Sequence, residues 1–382
     1  MEQLRFNDLL FAKAEREHST FGTCSPMDGP STVTTRTAAR LLPSLAFALR
    51  WTLLTVLMSA VLLPGTYQTH LDSAWISLRS SRVYQWSTFE TLWTVFCYAA
   101  IEPSITAVFM HQPRWRLAHQ SGKSLTSSPS KPKGMRRPSR RGLEALTYVA
   151  PLLTLDLAMI KKFAGVPLED MLASGNYAPE ISGHRSTFLV PSLHNFTLSS
   201  PLQTHRALPV QPPSSRRLAL ELLCALVLYD ALFFAFHLAM HALPGIRSWH
   251  RPHHSHGEMQ PQITNQLHVF ERMGLVLLAN FSLNIIGSHV LTRTLFVPIF
   301  VWLLIELHSG LDLPWAYDKI LPMGWGGGAR KHASHHKDGS GGLEPYFNWL
   351  DWCLECWTHP GHSRPDSQIR SGEKVDDCSD GR

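Results

Sequence analysis

Long apolar runs that alternate with very polar tracts constrain this chain most. The 382-residue sequence is 44% hydrophobic and only 17% charged, yet its mean hydropathy is near zero because the two kinds of segment cancel. An apolar run of about 20 residues is long enough to cross the hydrocarbon core of a bilayer as a helix. The sequence therefore predicts an all-α, polytopic membrane helical bundle.

About four full spans and one membrane hairpin are predicted. The two apolar pieces of the hairpin are each shorter than a comfortable crossing, so the hairpin either crosses or dips into the bilayer. In both cases it returns to the side from which it left. The spans are residues 44–63, 91–110, 143–160 and 218–243, and the hairpin pieces are residues 275–290 and 295–307.

Charged residues inside the predicted spans are expected to face protein or a headgroup region. Arg50 lies in the first span. Glu102, followed by Pro103, lies in the second, where the pair would kink the helix and bring a carboxyl into the bundle. A helix that breaks there, near the interface, is the alternative.

One basic tract sets the predicted topology. Nine Lys and Arg residues and no Asp or Glu lie between Arg114 and Arg141. Between two apolar segments, such a tract indicates a cytoplasmic loop by the positive-inside rule, and we do not expect nucleic-acid binding. Residues 163–216 are then lumenal, and every histidine cluster described below faces the cytoplasm.

The resulting organisation has seven parts. Asn195 begins a glycosylation sequon in the lumenal loop, while His184, His194 and His205 in that loop have no ligand spacing and are expected at the surface. The parts are a disordered cytoplasmic tail (1–40), two membrane helices (41–111), a basic disordered loop (112–142), a third helix (143–162), the lumenal loop (163–216), a histidine-rich domain (217–362) and a disordered tail (363–382).

Cysteine usage and the amino terminus add two expectations. Six scattered cysteines, two of them in apolar runs, give no disulfide framework, and no cleavable signal peptide is expected. Cys353 and Cys356, with His359 and His362, are compatible with a zinc site. The tryptophans of the same segment favour a membrane-interface helix instead.

The histidine clusters carry the chemistry. On a helix, residues three and four apart share a face, so His332, His335 and His336 in KHASHH are predicted to converge on one ion. A tetrahedral zinc uses four protein ligands and a catalytic zinc usually three, so nine imidazoles indicate two metals of higher coordination number. The other six are His237, His241, His250, His253, His254 and His308.

From about Leu218 to Trp357 the sequence resembles the fatty acid hydroxylase and sterol desaturase superfamily of membrane-bound non-haem di-iron proteins. The order of four histidine boxes is a strong signal for this family, and the resemblance is most specific at its C-terminal end. Cholesterol 25-hydroxylases and sterol C4-methyl oxidases are the most similar subfamilies, through the runs ELHSGLDLPW from Glu306, LPMGW from Leu321, HASHH, EPYF from Glu344 and WLD from Trp349.

The resemblance implies a cytoplasmic di-iron cap in which the nine histidines hold two iron ions. It also implies O2 activation, electrons from NAD(P)H through cytochrome b5 or its reductase, and an endoplasmic reticulum membrane. The implied activity is hydroxylation of a lipid, foremost a sterol or related terpenoid. Supporting or additional ligand roles are expected for His268, Glu271, Asp312 and Asp230, the last placed to orient His237.

The chain departs from the family pattern at three points. Ala333 stands where the family usually has Asp between the first two histidines of the last box, so one hydrogen bond that supports a ligand is expected to be missing. Val269 replaces the usual Pro, and residues 354–358 replace the usual Gly-Thr. The histidines are spared, and the substrate stays open.

Several activities stay open from the sequence. Desaturation and C4-methyl oxidation use the same metal site, as does hydroxylation of a fatty acid or sphingoid base. An inactive lipid-binding relative is a second class, suggested by Ala333. A metal transporter is a third class, which predicts ligands distributed through the membrane depth.

Overall fold

The computed structural model describes residues 34–117, 135, 141–178, 190–256, 258–339 and 341–358. Expectations for residues 1–33, for most of the basic loop and for residues 359–382 fall outside these ranges. The described residues form α-helices joined by short 3-10 turns, with isolated bridges and no strand. The helices are α1 Thr34–Leu62, α2 Gly65–Ser80, α3 Phe89–His111, α4 Gly142–Ala158, α5 Leu168–Ser174, α6 Ser215–Ala242, α7 Pro244–His250, α8 Val269–Ile285, α9 Val290–His308, α10 Tyr317–Ile320, α11 Gly328–Asp338 and α12 Trp349–Thr358.

The all-helical membrane bundle is confirmed, although the spans are not quite those predicted. Four helices are long and apolar enough to cross a bilayer: α1 (from Leu45), α3, α6 and α9. The predicted third span forms α4, which has only 17 residues and ends at Ala158. α9 has 19 residues and is long enough to cross by itself, which corrects the expectation that both hairpin pieces are short.

The hairpin turn lies earlier in the chain than predicted. α8 ends at Ile285, and Gly287 follows with a positive φ of 58°, which favours glycine. His289 then caps α9, because its ring Nδ1 accepts a hydrogen bond of 3.1 Å from the amide of Leu291. These two residues place the turn before residue 290, so residues 290–294, which the apolar pattern assigned to the end of the first piece and to the turn, belong to α9.

The charged residues in the spans face protein. Arg50 donates through Nε to the carbonyl of Ile320 at 2.6 Å, so it satisfies the end of α10. Glu102 is buried and pairs with Arg141 at 2.9 Å. α3 continues through Pro103 without ending, so the alternative of a broken helix is wrong.

Two segments predicted to be disordered are ordered in part. α1 begins at Thr34, inside the predicted tail. After α3, Arg116 is buried and donates through Nε to the carbonyl of Phe109 at 2.8 Å. Its guanidinium also lies over the Phe109 ring, so this cation folds back onto the bundle instead of extending into solvent.

The main hydrophobic core lies where α3, α6, α8 and α9 pack together, around Tyr229, Phe296 and Ile305. A second core lies at the other end of the bundle, where Trp75 and the loop after α4 pack against the start of α9. We call the end that carries the histidine clusters the histidine end, and the end that carries this second core the opposite end.

The predicted lumenal loop is more ordered than its composition indicates. His194 is buried, not at the surface as predicted, and its Nδ1 lies 2.8 Å from Gln203 Oε1. The neighbouring residue Asn195 is exposed, as a glycosylation site requires, while His205 is also exposed. His184 lies outside the described residues. The small core at the opposite end explains the order, because this loop covers it.

Candidate metal centre

The first two histidines lie at the end of α6. His237 and His241 are four residues apart, so they project from one face of the helix. His237 is buried and His241 is partly exposed. Because α6 has 28 residues, more than the roughly 20 that cross the hydrocarbon core, its last turns extend past the apolar layer and can carry polar ligands.

The second box follows a sharp change of direction. Leu243 ends α6, and Pro244 is the first residue of α7, a position where its fixed φ and missing N–H are tolerated. His250 is the last residue of α7. His253 and His254 lie in the turn that follows, in which the amide of His253 donates to the carbonyl of His250 at 2.9 Å.

α11 carries the last box, and glycines set both of its ends. Gly328 has φ 70°, and a Cβ there would lie 2.6 Å from Cγ of Asp318. Gly339 is left-handed with φ 68°, and its amide donates to the carbonyl of His335 at 2.7 Å. The glycine-rich flanks therefore fix where the helix begins and ends, and with them the direction of its histidines.

The nine histidines form two adjoining groups, and within each group the available ligand atoms lie within 4.8 Å of one another. The rings of His254 and His336 stack at 4.4 Å across the boundary between the groups. The five-histidine group contains His237, His241, His250, His254 and His335, and the four-histidine group contains His253, His308, His332 and His336.

Each HxxHH box is divided between the two groups. His332 and His336, four residues apart, lie in one group, while His335 lies in the other. The expectation that all three converge on a single ion is therefore wrong. The reason is angular: at 3.6 residues per turn the i,i+4 pair is more nearly aligned than the i,i+3 pair, and the i+3 and i+4 positions point about 100° apart around the helix.

The ring hydrogen bonds show which nitrogen atoms face inward. A carbonyl or a carboxylate can only accept, so an imidazole Nδ1 that contacts one carries the proton. Its Nε2 then presents a lone pair in the neutral ring. Three ligands are oriented in this way: His237 donates to the carbonyl of Leu343 (2.9 Å), His335 to that of Gly341 (2.7 Å) and His308 to that of Leu304 (2.8 Å). His250 donates to Oε1 of Glu271 (2.8 Å) when that carboxyl is ionised.

The inward Nε2 atoms are close together without a proton to share. Nε2 of His237 lies 3.0 Å from Nε2 of His250 and 3.2 Å from that of His335. Since His237 and His335 each carry the proton on Nδ1, their contact places lone pair against lone pair. A cation between them removes that repulsion, so the donor set fits a metal ion that binds imidazole.

Burial keeps the loop and α11 histidines neutral. It lowers the pKa of His250 to about 2 and that of His254 to about 4, and neighbouring histidines lower both further. Burial also holds the pKa of His332 and of His335 well below the usual range. Neutral imidazole is the form that binds a metal, so the ligands are available at neutral pH.

The two groups differ in how their outer nitrogens are held. In the five-histidine group, His237, His250 and His335 each donate from Nδ1 to a protein acceptor. In the four-histidine group only His308 does so; among the described residues no acceptor bonds the buried Nδ1 atoms of the other three, which are His253, His332 and His336. The sequence predicted a missing supporting hydrogen bond at Ala333, which lies on the same helix as His332 and His336 of this group.

Asp230 does not have the contact expected of it. Its Oδ1 accepts the amides of Tyr346 (2.8 Å) and Phe347 (3.2 Å), while Nδ1 of His237 is occupied by the carbonyl of Leu343. Seven residues along a helix is nearly two turns, about 10 Å, which is too far for a short carboxylate to reach the imidazole. Asp230 instead ties the loop before α12 to α6.

Two other residues singled out from the sequence also lie apart from the groups. His268 is exposed, stacks on Trp249 and caps α8. Asp312 pairs with Lys319 (2.6 Å) and Arg330 (3.0 Å), and these cations lower the pKa of its carboxyl. Their contacts are those of residues that hold helix ends and loops in place.

Sequence reasoning gave no role to the loop that supports the five-histidine group. Its carbonyls at Gly341 and Leu343 accept from His335 and His237. The loop is itself held by Asp351, whose Oδ1 accepts the amide of Leu343 at 3.0 Å and whose Oδ2 pairs with Lys331 at 2.8 Å. The family-like runs from Glu344 and Trp349 were the only available signal, and they did not show that the backbone would be the partner.

The alternative zinc site gains no second ligand pair in the described residues. Cys353 and Cys356 are exposed on α12, and His359 and His362 lie outside the described ranges. α12 also exposes Trp349. That exposure agrees with the expected interface helix.

Comparison with known proteins points the same way as the geometry. Residues 222–356 match the family model of the fatty acid hydroxylases, a region that contains all nine histidines. The resemblance inferred from the sequence is thereby confirmed. No solved structure matches the chain significantly.

Individual relatives cover part of the chain. Cholesterol 25-hydroxylase of Rattus norvegicus is 31% identical over 173 residues (44% of this chain and 58% of the relative), and that of Homo sapiens is 32% identical over 148 residues (38% and 54%). A Dictyostelium discoideum protein provisionally named methylsterol monooxygenase is 30% identical over 145 residues (36% and 51%). The chain thus spans only a little more than half the length of the relatives that it matches.

Proposed function

We propose that this protein is a membrane-bound, O2-dependent hydroxylase of a sterol or related lipid and that it works with two iron ions. One observation carries the proposal: two adjoining groups of mostly buried, neutral histidines bring their Nε2 atoms together within a region that matches the fatty acid hydroxylases. The relatives named as cholesterol 25-hydroxylases supply the substrate class.

Iron is the metal that fits both the ligands and the reaction. Imidazole also binds zinc, copper and nickel, but zinc has no redox chemistry. Two bound irons would supply O2 activation and the removal of hydrogen from an unactivated C–H bond. The overall reaction balances as R–H + O2 + NAD(P)H + H⁺ giving R–OH + H2O + NAD(P)⁺, with electrons delivered through cytochrome b5 or its reductase.

The chain's own residues orient the histidine ligands and line a cavity from which a bound lipid would exclude water. Leu343, Gly341 and Glu271 fix the tautomers and ring planes of three ligands. An apolar cavity of about 380 Å³ lies between α3, α4, α8 and α9, and its wall includes Leu304 and Ile305, one turn before His308. A lipid in this cavity would exclude water from the space beside the ligands.

Related chemistries use the same residues. Desaturation, C4-methyl oxidation and hydroxylation of a fatty acid or sphingoid base differ in which carbon lies beside the metal. The Dictyostelium discoideum relative favours methyl oxidation as the second candidate.

Activities of another class fit the geometry less well. A metal transporter requires ligands along the membrane depth, whereas all nine histidines of the two groups lie at the histidine end. An inactive lipid-binding relative stays an alternative because of Ala333 and the weakly held four-histidine group.

We further propose that the protein is located in the endoplasmic reticulum membrane, with the histidine end facing the cytoplasm. The support is the basic tract between α3 and α4 and the exposed sequon residue Asn195 in the loop after α4. A mass increase that is removed by glycosidase and abolished by Asn195→Gln is the expected result. An unglycosylated loop that a cytosolic protease can cut would reverse the orientation.

The decisive experiment is expression with a matching reductase, followed by mass spectrometry of the sterol and lipid fraction under O2. A gain of one oxygen is the result expected for hydroxylation, whereas loss of two hydrogens or of a methyl group selects the related chemistries. His335→Ala should abolish product, with exposed His205→Ala as the matched control. Undiminished product in His335→Ala would refute the metal-centre assignment.

A further inference from the structure

The cavity beside the metal centre carries charged side chains at one end and is apolar at the other. Its wall is mostly apolar and comes from α3, α4, α8, α9 and the 3-10 turn Pro261–Asn265. The charged side chains of the wall are Glu102 on α3, Arg141 just before α4 and Arg272 on α8. The distribution of these charges is informative because an apolar cavity in a membrane bundle has no general need for them.

The three charged residues of the wall lie at the same end of the cavity. α3 and α9 run toward the histidine end, and their lining residues there are Glu102 and Ile305. α4 and α8 run away from it, and their lining begins at Arg141 and Arg272. The other end of the cavity is apolar, and includes Val95, Leu152, Val276 and Phe300.

The charged end is also the end closest to the metal ligands. Leu304 lines the cavity, and its carbonyl accepts from His308 at 2.8 Å. Arg272 lines the cavity and follows Glu271, whose carboxylate accepts from His250. A lining residue, Leu304, thus holds a ligand of the four-histidine group, and another, Arg272, follows the residue that contacts a ligand of the five-histidine group.

A bound hydroxyl suits the Glu102–Arg141 pair. The two side chains are 2.9 Å apart and are 5% and 12% exposed, and Thr106 donates to the other carboxylate oxygen of Glu102 at 2.7 Å. A hydroxyl group both donates and accepts, so it can donate to the carboxylate while it accepts from the guanidinium. An apolar group of the ligand placed there would instead remove water from both charges without supplying a hydrogen bond in its place.

The apolar body of a ligand has room in the opposite direction. A second cavity of about 270 Å³ shares Thr94, Leu152, Val276 and Phe300 with the first. Together their walls follow α9 from Arg293 to Ile305, which is about 18 Å at 1.5 Å per residue. The charged groups at the distant end have protein partners: Arg293 binds Glu90 at 2.9 Å, Lys161 binds Asp156, and Lys162 donates to the carbonyl of Val190 at 2.7 Å.

We propose that Glu102 and Arg141 bind the hydroxyl of an amphipathic substrate beside the metal centre, so that the carbon oxidised lies close to that hydroxyl and not at the far end of the ligand. The inference rests on the proposed function and narrows it toward oxidation next to the polar group. α3 and α4 lie outside residues 222–356, so this selectivity belongs to a part of the chain that the family model does not match.

The position of the product oxygen tests the inference. The full-length, iron-loaded protein in nanodiscs with a reductase is given cholesterol and a sterol methylated beside its hydroxyl-bearing ring carbon. We expect oxygen on that methyl group or on a ring carbon adjacent to the hydroxyl-bearing carbon, as located by NMR and fragment masses. Oxygen at the end of the sterol side chain would overturn the inference and leave the proposed function intact.

Equilibrium binding gives a readout that does not depend on turnover. Wild type, Glu102→Gln and Arg141→Met are compared for binding of radiolabelled methylated sterol and its analogue that lacks the hydroxyl. We expect both substitutions to weaken binding of the hydroxylated sterol by about 10–100-fold, as for loss of a hydrogen bond to a charged group, with little change for the analogue. Glu169→Gln, an exposed carboxylate on α5, is the control.

The binding measurements and the product analysis together distinguish a failure of this inference from a failure of the proposed function. Equal losses for both sterols, or no loss, would show that the pair only joins α3 to α4 and would overturn the inference. If a variant does not fold, the ratio of wild-type affinities for the two sterols decides: we expect about tenfold or more, and a ratio near one contradicts the proposal. Hydroxyl-dependent binding without any oxidation by wild type would refute the proposed function alone.

Discussion

The two histidine groups are built from the same boxes but are supported differently. In the five-histidine group, backbone carbonyls and a carboxylate accept from three of the outer ring nitrogens. In the four-histidine group, three buried Nδ1 atoms are without an acceptor among the described residues. The outer hydrogen bonds orient the ring and raise the basicity of the ligand. The difference predicts that the five-histidine group binds its metal more tightly and that the four-histidine group releases it first.

The largest effect is expected from removing a ligand in either group. His335→Ala and His332→Ala should each lower the iron content from about two to about one per chain and reduce turnover by more than about 100-fold, because loss of a ligand exceeds loss of a supporting contact. Iron is measured by elemental analysis after anaerobic loading. Equal iron in both variants and wild type would show that the groups are not the metal sites.

Removing one support should affect only one group. Glu271→Gln keeps the size of the side chain that accepts from His250 but weakens the acceptor. We expect a loss of about 10–100-fold in metal affinity at the five-histidine group, with the other site unchanged. Competition with a chelator measures the metal affinity of each of the two sites. An equal loss of metal affinity at both sites would show that Glu271 does not support the five-histidine group alone.

Acid should destabilise the metal-free protein through these residues. The folded pKa of His250 is about 2 and that of His254 about 4, both below the unfolded value near 6.5. Below about pH 6.5 the unfolded chain therefore binds protons that the folded chain does not. Stability should fall as the pH drops from about 6.5 to 4, by as much as ~1.4 kcal/mol per pH unit for each such histidine.

The pH dependence is measured as the thermal midpoint of the metal-free protein. His254→Gln removes one titrating ring and should flatten the curve between about pH 6.5 and 4, while exposed His205→Gln serves as the control. A midpoint that rises with acid would contradict the burial of neutral imidazoles.

The smallest effect concerns the weaker group. Ala333→Asp puts an acceptor on α11, the helix that carries His332 and His336. We expect a gain of up to about tenfold in iron affinity at the four-histidine group, the lower limit for a supporting contact. Stepwise iron titration with Ala333→Asn as the uncharged control measures it. No gain would mean that this group needs no support from position 333.

The sequence predicted much of the centre because its signals are local. Apolar runs and histidine spacing depend on residues within one or two helical turns, so the spans, the nine imidazoles and the family resemblance could be read directly. The bounds of the hairpin were wrong because a cap at His289 overrides hydropathy. The order in the loop around His194 was missed because it depends on a core formed with α2 and α9.

Contacts between residues that are far apart in the chain could not be predicted from the sequence. Asp230 looked suited to His237 by spacing, yet its partners are amides more than a hundred residues later. The carbonyls that hold His237 and His335 carry no sequence signal, because every residue has one. For the same reason nothing in the chain order indicated that Glu102 and Arg141 would meet beside the metal centre.

The sequence by itself determined that this chain is a helical membrane protein with nine histidines spaced to bind metal. Only the tertiary structure decided how these histidines divide, because the angle between i+3 and i+4 positions sends neighbours in one box to different groups. It also decided which ring nitrogens are held and which end of the apolar cavity carries Glu102 and Arg141. Both depend on packing between α3, α4, α8, α9 and α11, and that packing is a property of the folded bundle and not of any one segment.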